Sequence, residues 1–185
     1  MLDKTYRTEF FRTFLIEALP APLTPASTHL QIFDNYITNT RLRLRSIRVP
    51  ETKEWTRILQ QRFPVGDDLS HRKIAEMHLD EDEYARLQIF EGNEMRKNRY
   101  FHEIDSCMFA FDVYLGPLWG VNRARVDFES ESELTDFQPP PFVIFEITNE
   151  GFFDDANLVN RTFDEVRVAV ENLGPPLVST AAPDQ

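Results

Sequence analysis

Arg41-Leu42-Arg43-Leu44-Arg45, followed by Arg48, alternates charge and leucine with a period of two. A strand of that period puts three guanidiniums on one face and the leucines on the other. Like charges on one strand face repel unless something anionic lies among them. The planar guanidinium fork matches phosphate and carboxylate oxygens, which makes an anion site one reading of the ladder. A solvated edge strand guarded by its charge is the other.

The chain around this ladder has 185 residues, 42% of them hydrophobic, enough for one domain with a sizeable core. Its 31 acids and 20 bases give a formal net charge of −11, a field that repels polyanions and argues against nucleic acid as a partner. A local basic site inside an acidic shell is compatible with that balance. Cys107 is the single cysteine, so no intramolecular disulfide forms, and a reducing compartment fits. No apolar stretch approaches the ~20 residues of a membrane helix. The opening Met1-Leu2-Asp3-Lys4 has no signal-peptide core. The expected location is cytoplasmic, with no membrane partner; the sequence leaves the oligomeric state open.

Outward from the ladder, the chain reads as short alternating runs separated by turn signals. Strands are expected near residues 4–16, 30–37, 40–48, 53–62 and 70–79, with a Pro/Ala/Thr connector over 20–28 and a turn at Pro64-Val65-Gly66-Asp67-Asp68. Asp80 caps an expected helix to about residue 91, its first turn rich in acids, with Gly92-Asn93 as the stop. Further strands are expected near 95–101, 107–115, 121–129 and 142–148. Ser130-Glu131-Ser132-Glu133 has capping-box spacing for a short helix, and 155–172 reads as helical in two pieces.

The polar faces of these strands carry both signs of charge. Arg123, Arg125, Asp127 and Glu129 share one face, opposite Ala124, Val126 and Phe128; Lys97 pairs with Arg99, and Asp112 with Tyr114. A flat sheet with a wet side would accommodate this. So would a closed barrel with a polar, filled interior, and mixed signs favour the barrel because opposite charges neutralise one another across a lumen.

Five ordered segments resemble the CYTH domain, or triphosphate tunnel metalloenzyme superfamily, over about residues 4–170. They are Arg12-Thr13-Phe14-Leu15-Ile16 with Leu19-Pro20; Ile32 to Ile37 with the arginine ladder; Lys97-Asn98-Arg99-Tyr100; Phe111-Asp112-Val113-Tyr114 with Ala124-Arg125-Val126-Asp127-Phe128; and Pro140 to Thr148 with Asn157-Leu158. The resemblance implies an α+β fold, an antiparallel eight-stranded β-barrel with peripheral helices. Residues 1–173 are then expected to be a single CYTH-like domain, and 174–185, from the Gly174-Pro175-Pro176 stop onward, a disordered C-terminal tail. Cyclase, thiamine triphosphatase and inorganic triphosphatase activities occur in the family. In it, basic side chains in the tunnel bind a triphosphate, and carboxylates hold Mg²⁺ or Mn²⁺ for hydrolysis.

Carried over residue by residue, the resemblance implies triphosphate binding by Arg43, Arg45, Arg57, Lys97 and Arg99, and metal binding by Glu76, Asp127, Glu146 and, more weakly, Glu9. No catalytic residue is assigned. The opening Glu-x-Glu-x-Lys of the family reads Glu9-Phe10-Phe11-Arg12-Thr13 here, so Phe11 and Thr13 replace an acid and a lysine. Ile74 stands for another acid, and Arg125-Val126-Asp127 for a Glu-x-Glu. An arginine entering a metal shell lowers cation affinity and is able to occupy the ion's place. Triphosphate or nucleotide binding, with metal-dependent hydrolysis if the site is active, is the leading expectation, and cyclase activity is not expected. The alternative is a degenerate member that binds nucleotide, polyphosphate or a protein partner without turnover. The histidines lack ligand spacing, and the acidic run 80–83 lacks the glycine of a calcium loop.

Overall fold

The structure, a computed structural model, describes residues 6–177. Nine strands form: β1 (Arg7–Ile16), β2 (Leu30–Ile37), β3 (Leu42–Arg48), β4 (Trp55–Pro64), β5 (His71–Leu79), β6 (Gly92–Ile104), β7 (Cys107–Tyr114), β8 (Asn122–Phe128) and β9 (Val143–Glu146). Four short helices accompany them: α1 (Glu81–Leu87), α2 (Glu131–Asp136), α3 (Asp155–Leu158) and α4 (Phe163–Glu171). The hydrogen-bonded order is β5-β4-β3-β2-β6-β7-β8-β1-β9, and β1 also pairs with β5 through Arg7↔Ile74 to Phe10↔His71. That pairing closes an eight-stranded antiparallel barrel. The ninth strand, β9, adds to β1 where β5 leaves off, from Phe14↔Glu146 to Ile16↔Val143.

The barrel is therefore the α+β architecture expected from the sequence, and the arginine ladder is one of its interior strands rather than an edge. Local chemistry sets its corners. Asp105 and Ser106, both at positive φ, form the two-residue loop between β6 and β7, the geometry whose twist matches the flanking strands. Asp80 accepts from the Glu83 amide while Glu83 accepts from the Asp80 amide, a reciprocal cap that starts α1. The helix ends early, and Gly92 opens β6 instead of terminating α1; a Cβ there would lie 2.6 Å from the Tyr36 carbonyl oxygen. The connector over 20–28 holds turns, not a helix. Of the expected tail, residues 178–185 lie outside the described residues, and the Leu177 amide donates to the Ile144 carbonyl at 2.7 Å.

Two apolar clusters fix the barrel from outside and from one end. Outside, Phe14, Tyr100, Phe109, Phe111, Val126 and Val143 pack beneath the connector and the segment around α2. At one end, Leu15, Tyr36, Met95 and Tyr114 on the inner strand faces meet Phe153, Leu158 and Val166. The segment carrying α3 thus caps that end of the lumen. No helix among the described residues is long and apolar enough to cross a membrane.

Phe14 is fully buried and tilted against Phe137 at 6.1 Å. Phe14→Ala removes a large aromatic from a packed layer and is expected to destabilise the fold by about 3–5 kcal/mol. Urea denaturation followed by circular dichroism measures it, with the transition midpoint moving to lower urea.

Candidate functional site

Antiparallel register assigns each strand's inner face. Arg43 stands opposite Tyr36 and Gln60, and Arg45 opposite Asp34 and Ile58. On the other side of β2, Ile32 faces Lys97, which faces Tyr114; Arg99 faces Asp112, and Asp112 faces Arg123. Arg125 lies across from Thr13 and Asp127 across from Phe11 on β1. Charged side chains from β1, β3 and β6–β8 therefore converge on one lumen. It encloses a cavity of about 430 Å³ lined by eight arginines, Arg7, Arg43, Arg45, Arg62, Arg72, Arg99, Arg123 and Arg125, against five carboxylates.

Three buried aspartates organise these cations. Asp34 accepts from Arg45 Nε and Nη2 at 2.6 and 2.7 Å, with Arg43 Nη1 at 3.5 Å. Asp112 accepts from Arg99 Nε and Nη2 at 2.6 and 2.8 Å, and also contacts Lys97 Nζ at 2.8 Å and Arg123 Nη2 at 3.2 Å. Asp155, delivered by α3, holds Lys97 at 2.7 Å, Arg123 at 2.8 Å and the Tyr114 hydroxyl at 2.6 Å. Arg43 is further fixed by Gln60 Oε1 at 3.0 Å and the Tyr36 hydroxyl at 3.1 Å.

Burial by itself pushes these carboxyls up, because it penalises the charged form. The adjoining guanidiniums overcome it: Arg43 and Arg45 hold Asp34 below the usual carboxylate value, Arg99 and Lys97 hold Asp112 well below it, and Arg123 and Lys97 do the same for Asp155. Burial likewise pushes the Lys97 ammonium down, opposed by Asp112 and Asp155. All three carboxylates are ionised at neutral pH. The lumen is consequently a set of fixed ion pairs in which the guanidiniums are already oriented.

Donor capacity nevertheless exceeds acceptor capacity. Arg45 and Arg99 grip their aspartates through Nε and Nη2, and no hydrogen bond from Nη1 is present in either among the described residues. Arg72 and Arg62 share one Asp154 oxygen, at 3.0 and 3.5 Å. Arg62 Nε and Arg123 Nε are buried with no partner among the described residues. Orphaned buried donors of this kind are costly and donate readily to an anionic oxygen.

Of the residues singled out in the sequence, Arg43, Arg45 and Arg99 line the cavity, and Lys97 lies fully buried within its wall. Arg57 does not join them. It is opposite Ser46, one residue out of phase with Ile58 and Gln60, and its guanidinium lies outside the barrel near Glu81, Trp55 and Tyr84. Glu146 is also outside, because it pairs opposite outward-facing Phe14 and forms an ion pair with Arg12 beside Phe137. Glu9 and Asp127 line the cavity, and Glu76 accepts from Gln60 at 2.9 Å. Asp34, Asp154, Asp155, Arg62 and Arg72 complete the site. Asp34 was legible from its alternation with Ile32 and Tyr36; the others had no signal beyond charge.

A divalent Mg²⁺ or Mn²⁺ ion needs several carboxylate oxygens converging on one point. The donor set here does not fit one. Arg125 donates to Glu9 at 3.0 Å and to Asp127 at 2.9 Å, Arg7 takes the other Glu9 oxygen at 2.6 Å, and Glu146 is outside. Among the described residues no three His, Cys, Asp or Glu side chains form a metal-holding group.

No protein-family model matches the chain, and no curated protein does. Among solved structures, the barrel is similar to the inorganic triphosphatase NE1496, with a TM-score of 0.54 and 23% identity over 82% of this chain and 93% of that one. A second structure, of the hypothetical protein NE1496, gives 0.56 and 22% over 83% and 99%. The chain shares the fold of these two structures.

The depressed aspartates set an acid limit on stability. A carboxyl whose folded pKa is lowered contributes stability that is complete above its unfolded value near 4 and is lost as pH falls through the folded one. Asp34→Asn leaves Arg43 and Arg45 facing a neutral amide, and is expected to cost about 3–5 kcal/mol at pH 7. The deficit relative to wild type should shrink below about pH 4, where the native carboxyl begins to lose its own advantage. Urea titrations at both pH values check the size and the sign.

Proposed function

We propose that this chain is a divergent CYTH-type tunnel protein whose lumen binds a linear triphosphate, free or as the triphosphate group of a nucleotide, without metal-activated hydrolysis. The observation that carries this reading is the cavity itself: eight lining arginines, backed by Lys97, outnumber the five lining carboxylates and the buried Asp34 and Asp112, inside a chain whose overall charge is −11. A triphosphate needs several fixed cations at once, and these guanidiniums are held in place before the ligand arrives. The shared fold with an inorganic triphosphatase supports the same reading.

Arg43, Arg45 and Arg99 are the proposed phosphate contacts. Their aspartates orient the guanidinium forks, while the uncommitted Nη1 atoms of Arg45 and Arg99 supply donors for phosphate oxygens. Lys97, locked between Asp112 and Asp155, acts as a fixed positive charge behind this wall. Arg57, outside the barrel, is not among the proposed contacts.

Phosphoryl transfer relies on positioning and on charge stabilisation, supplied in most enzymes by a metal that also activates the nucleophile. Four of the five lining carboxylates, Glu9, Asp127, Asp154 and Asp155, are engaged by arginines; Glu150 has no such partner among the described residues. Positioning is thus present without a cluster of carboxylates, among the described residues, to hold a water-activating metal, which favours binding over turnover. Hydrolysis is the competing reading, and one pair of assays separates them.

Thermal melts and isothermal titration with tripolyphosphate and ATP should show stabilisation and saturable binding. Arg45→Lys keeps the charge but loses the fork, and should weaken binding about tenfold, the equivalent of one charge-assisted contact. Arg57→Ala should leave it unchanged. Phosphate release with Mg²⁺ or Mn²⁺ should stay at the blank. Metal-dependent release would replace the binding reading with the enzymatic one, and absence of any ligand effect would remove both.

A further inference from the structure

Phe11 and two arginines occupy the wall formed by β1, β5 and β8. The phenyl ring, 4% exposed, lies with the Arg125 guanidinium carbon 4.0 Å from its centroid and that of Arg72 5.2 Å away. Arg125 also bridges Glu9 and Asp127, and Arg72 donates to Asp154 at 3.0 Å. Phe11 offers no oxygen to a metal, and its ring face attracts the guanidiniums that lie over it. A divalent ion arriving at Glu9 and Asp127 would have to break both contacts of Arg125 and then sit beside a displaced cation in a confined space. That is unfavourable on both counts.

We infer that the Arg125–Phe11–Arg72 cluster takes the place of a divalent cation in this lumen, so that the anion is bound free of metal and Mg²⁺ antagonises its binding. The inference rests on the triphosphate-binding reading and adds which ionic form of the ligand is selected. Guanidiniums that already supply the counter-charge favour the fully charged triphosphate. Complexation by Mg²⁺ removes two of its negative charges and occupies oxygens that the arginines would otherwise contact. A metal-requiring site has the opposite preference, because its carboxylates repel the bare anion.

Arg7 fits this account. It lies 2.6 Å from Glu9 and 3.8 Å from Glu76, so three arginines engage the carboxylates closest to the cluster. Glu9, the one acid retained from the opening motif, is gripped from two sides. It serves to position Arg125 and not to hold an ion.

The test is calorimetric titration of the native protein with tripolyphosphate, in EDTA and again with excess MgCl₂. Binding in EDTA, weakened about tenfold by Mg²⁺ as for the loss of one charge-assisted contact, is the expected result. Binding that requires Mg²⁺ overturns the inference and leaves the triphosphate reading standing. Absence of binding in either buffer overturns both. As a reverse test, Phe11→Glu combined with Arg125→Glu restores acids to two of these positions. Titrated with MnCl₂ alone, the native protein should give no binding heat and the double variant should give a saturable one. Should the variant fail to melt cooperatively, the native titration decides by itself: Mn²⁺ binding to the native protein contradicts the inference.

Discussion

Charges enclosed in a barrel must neutralise one another, and the interior of this protein is arranged around that constraint. Asp34, Asp112 and Asp155 are each buried against at least two cations, and no two of them share the same set. Removing any one would strand guanidiniums where water is scarce, at several kcal/mol. The aromatic layer outside and the apolar cap at one end provide the packing energy that lets such an interior form. Apart from Phe11, the strands of the barrel turn their buried phenylalanines, such as Phe14, Phe109 and Phe111, outward, and most of their buried charges inward, the inverse of an ordinary soluble sandwich.

The same constraint shapes what the cavity is suited to do. An arginine held bidentate by an aspartate loses little further freedom on meeting a phosphate, so recognition is pre-organised. The lining carboxylates, together with the buried Asp34 and Asp112, offset most of the positive charge of the lumen, and the remaining excess of cations leaves an attraction for anions. On the proposed reading the counter-charge is covalent, in Arg72 and Arg125, which Asp154, Glu9 and Asp127 hold in place.

Much of this was legible in the period of two. The ladder placed Arg43 and Arg45 together, and alternation alone grouped Lys97 with Arg99 and Arg123 with Arg125 and Asp127. Closure into a barrel followed from the mixed signs and from the ordered resemblance. Phase was harder to read than period. Arg57 is one residue away from the inner face of β4, an error that only pairing with β3 corrects. The phase of β9 is set by its partner, because four residues are too few to fix it, and Phe14 carries Glu146 outward with it. Asp154 and Asp155 reach the lumen from a turn and a helix start, where no strand periodicity points. Arg62 and Arg72 share the faces of Gln60 and Ile74 and become recognisable only once those faces are known to be internal.

The central claim is that arginines, and no divalent ion, supply the positive charge for a bound triphosphate. Its most direct measurement is a crystal structure of the complex with tripolyphosphate grown in MnCl₂, using anomalous scattering to locate manganese. The account predicts phosphate density against Arg43, Arg45 and Arg99 with no manganese peak among Glu9, Glu76 and Asp127. A manganese peak bridging those carboxylates to the phosphate, with Arg125 swung away, would contradict it.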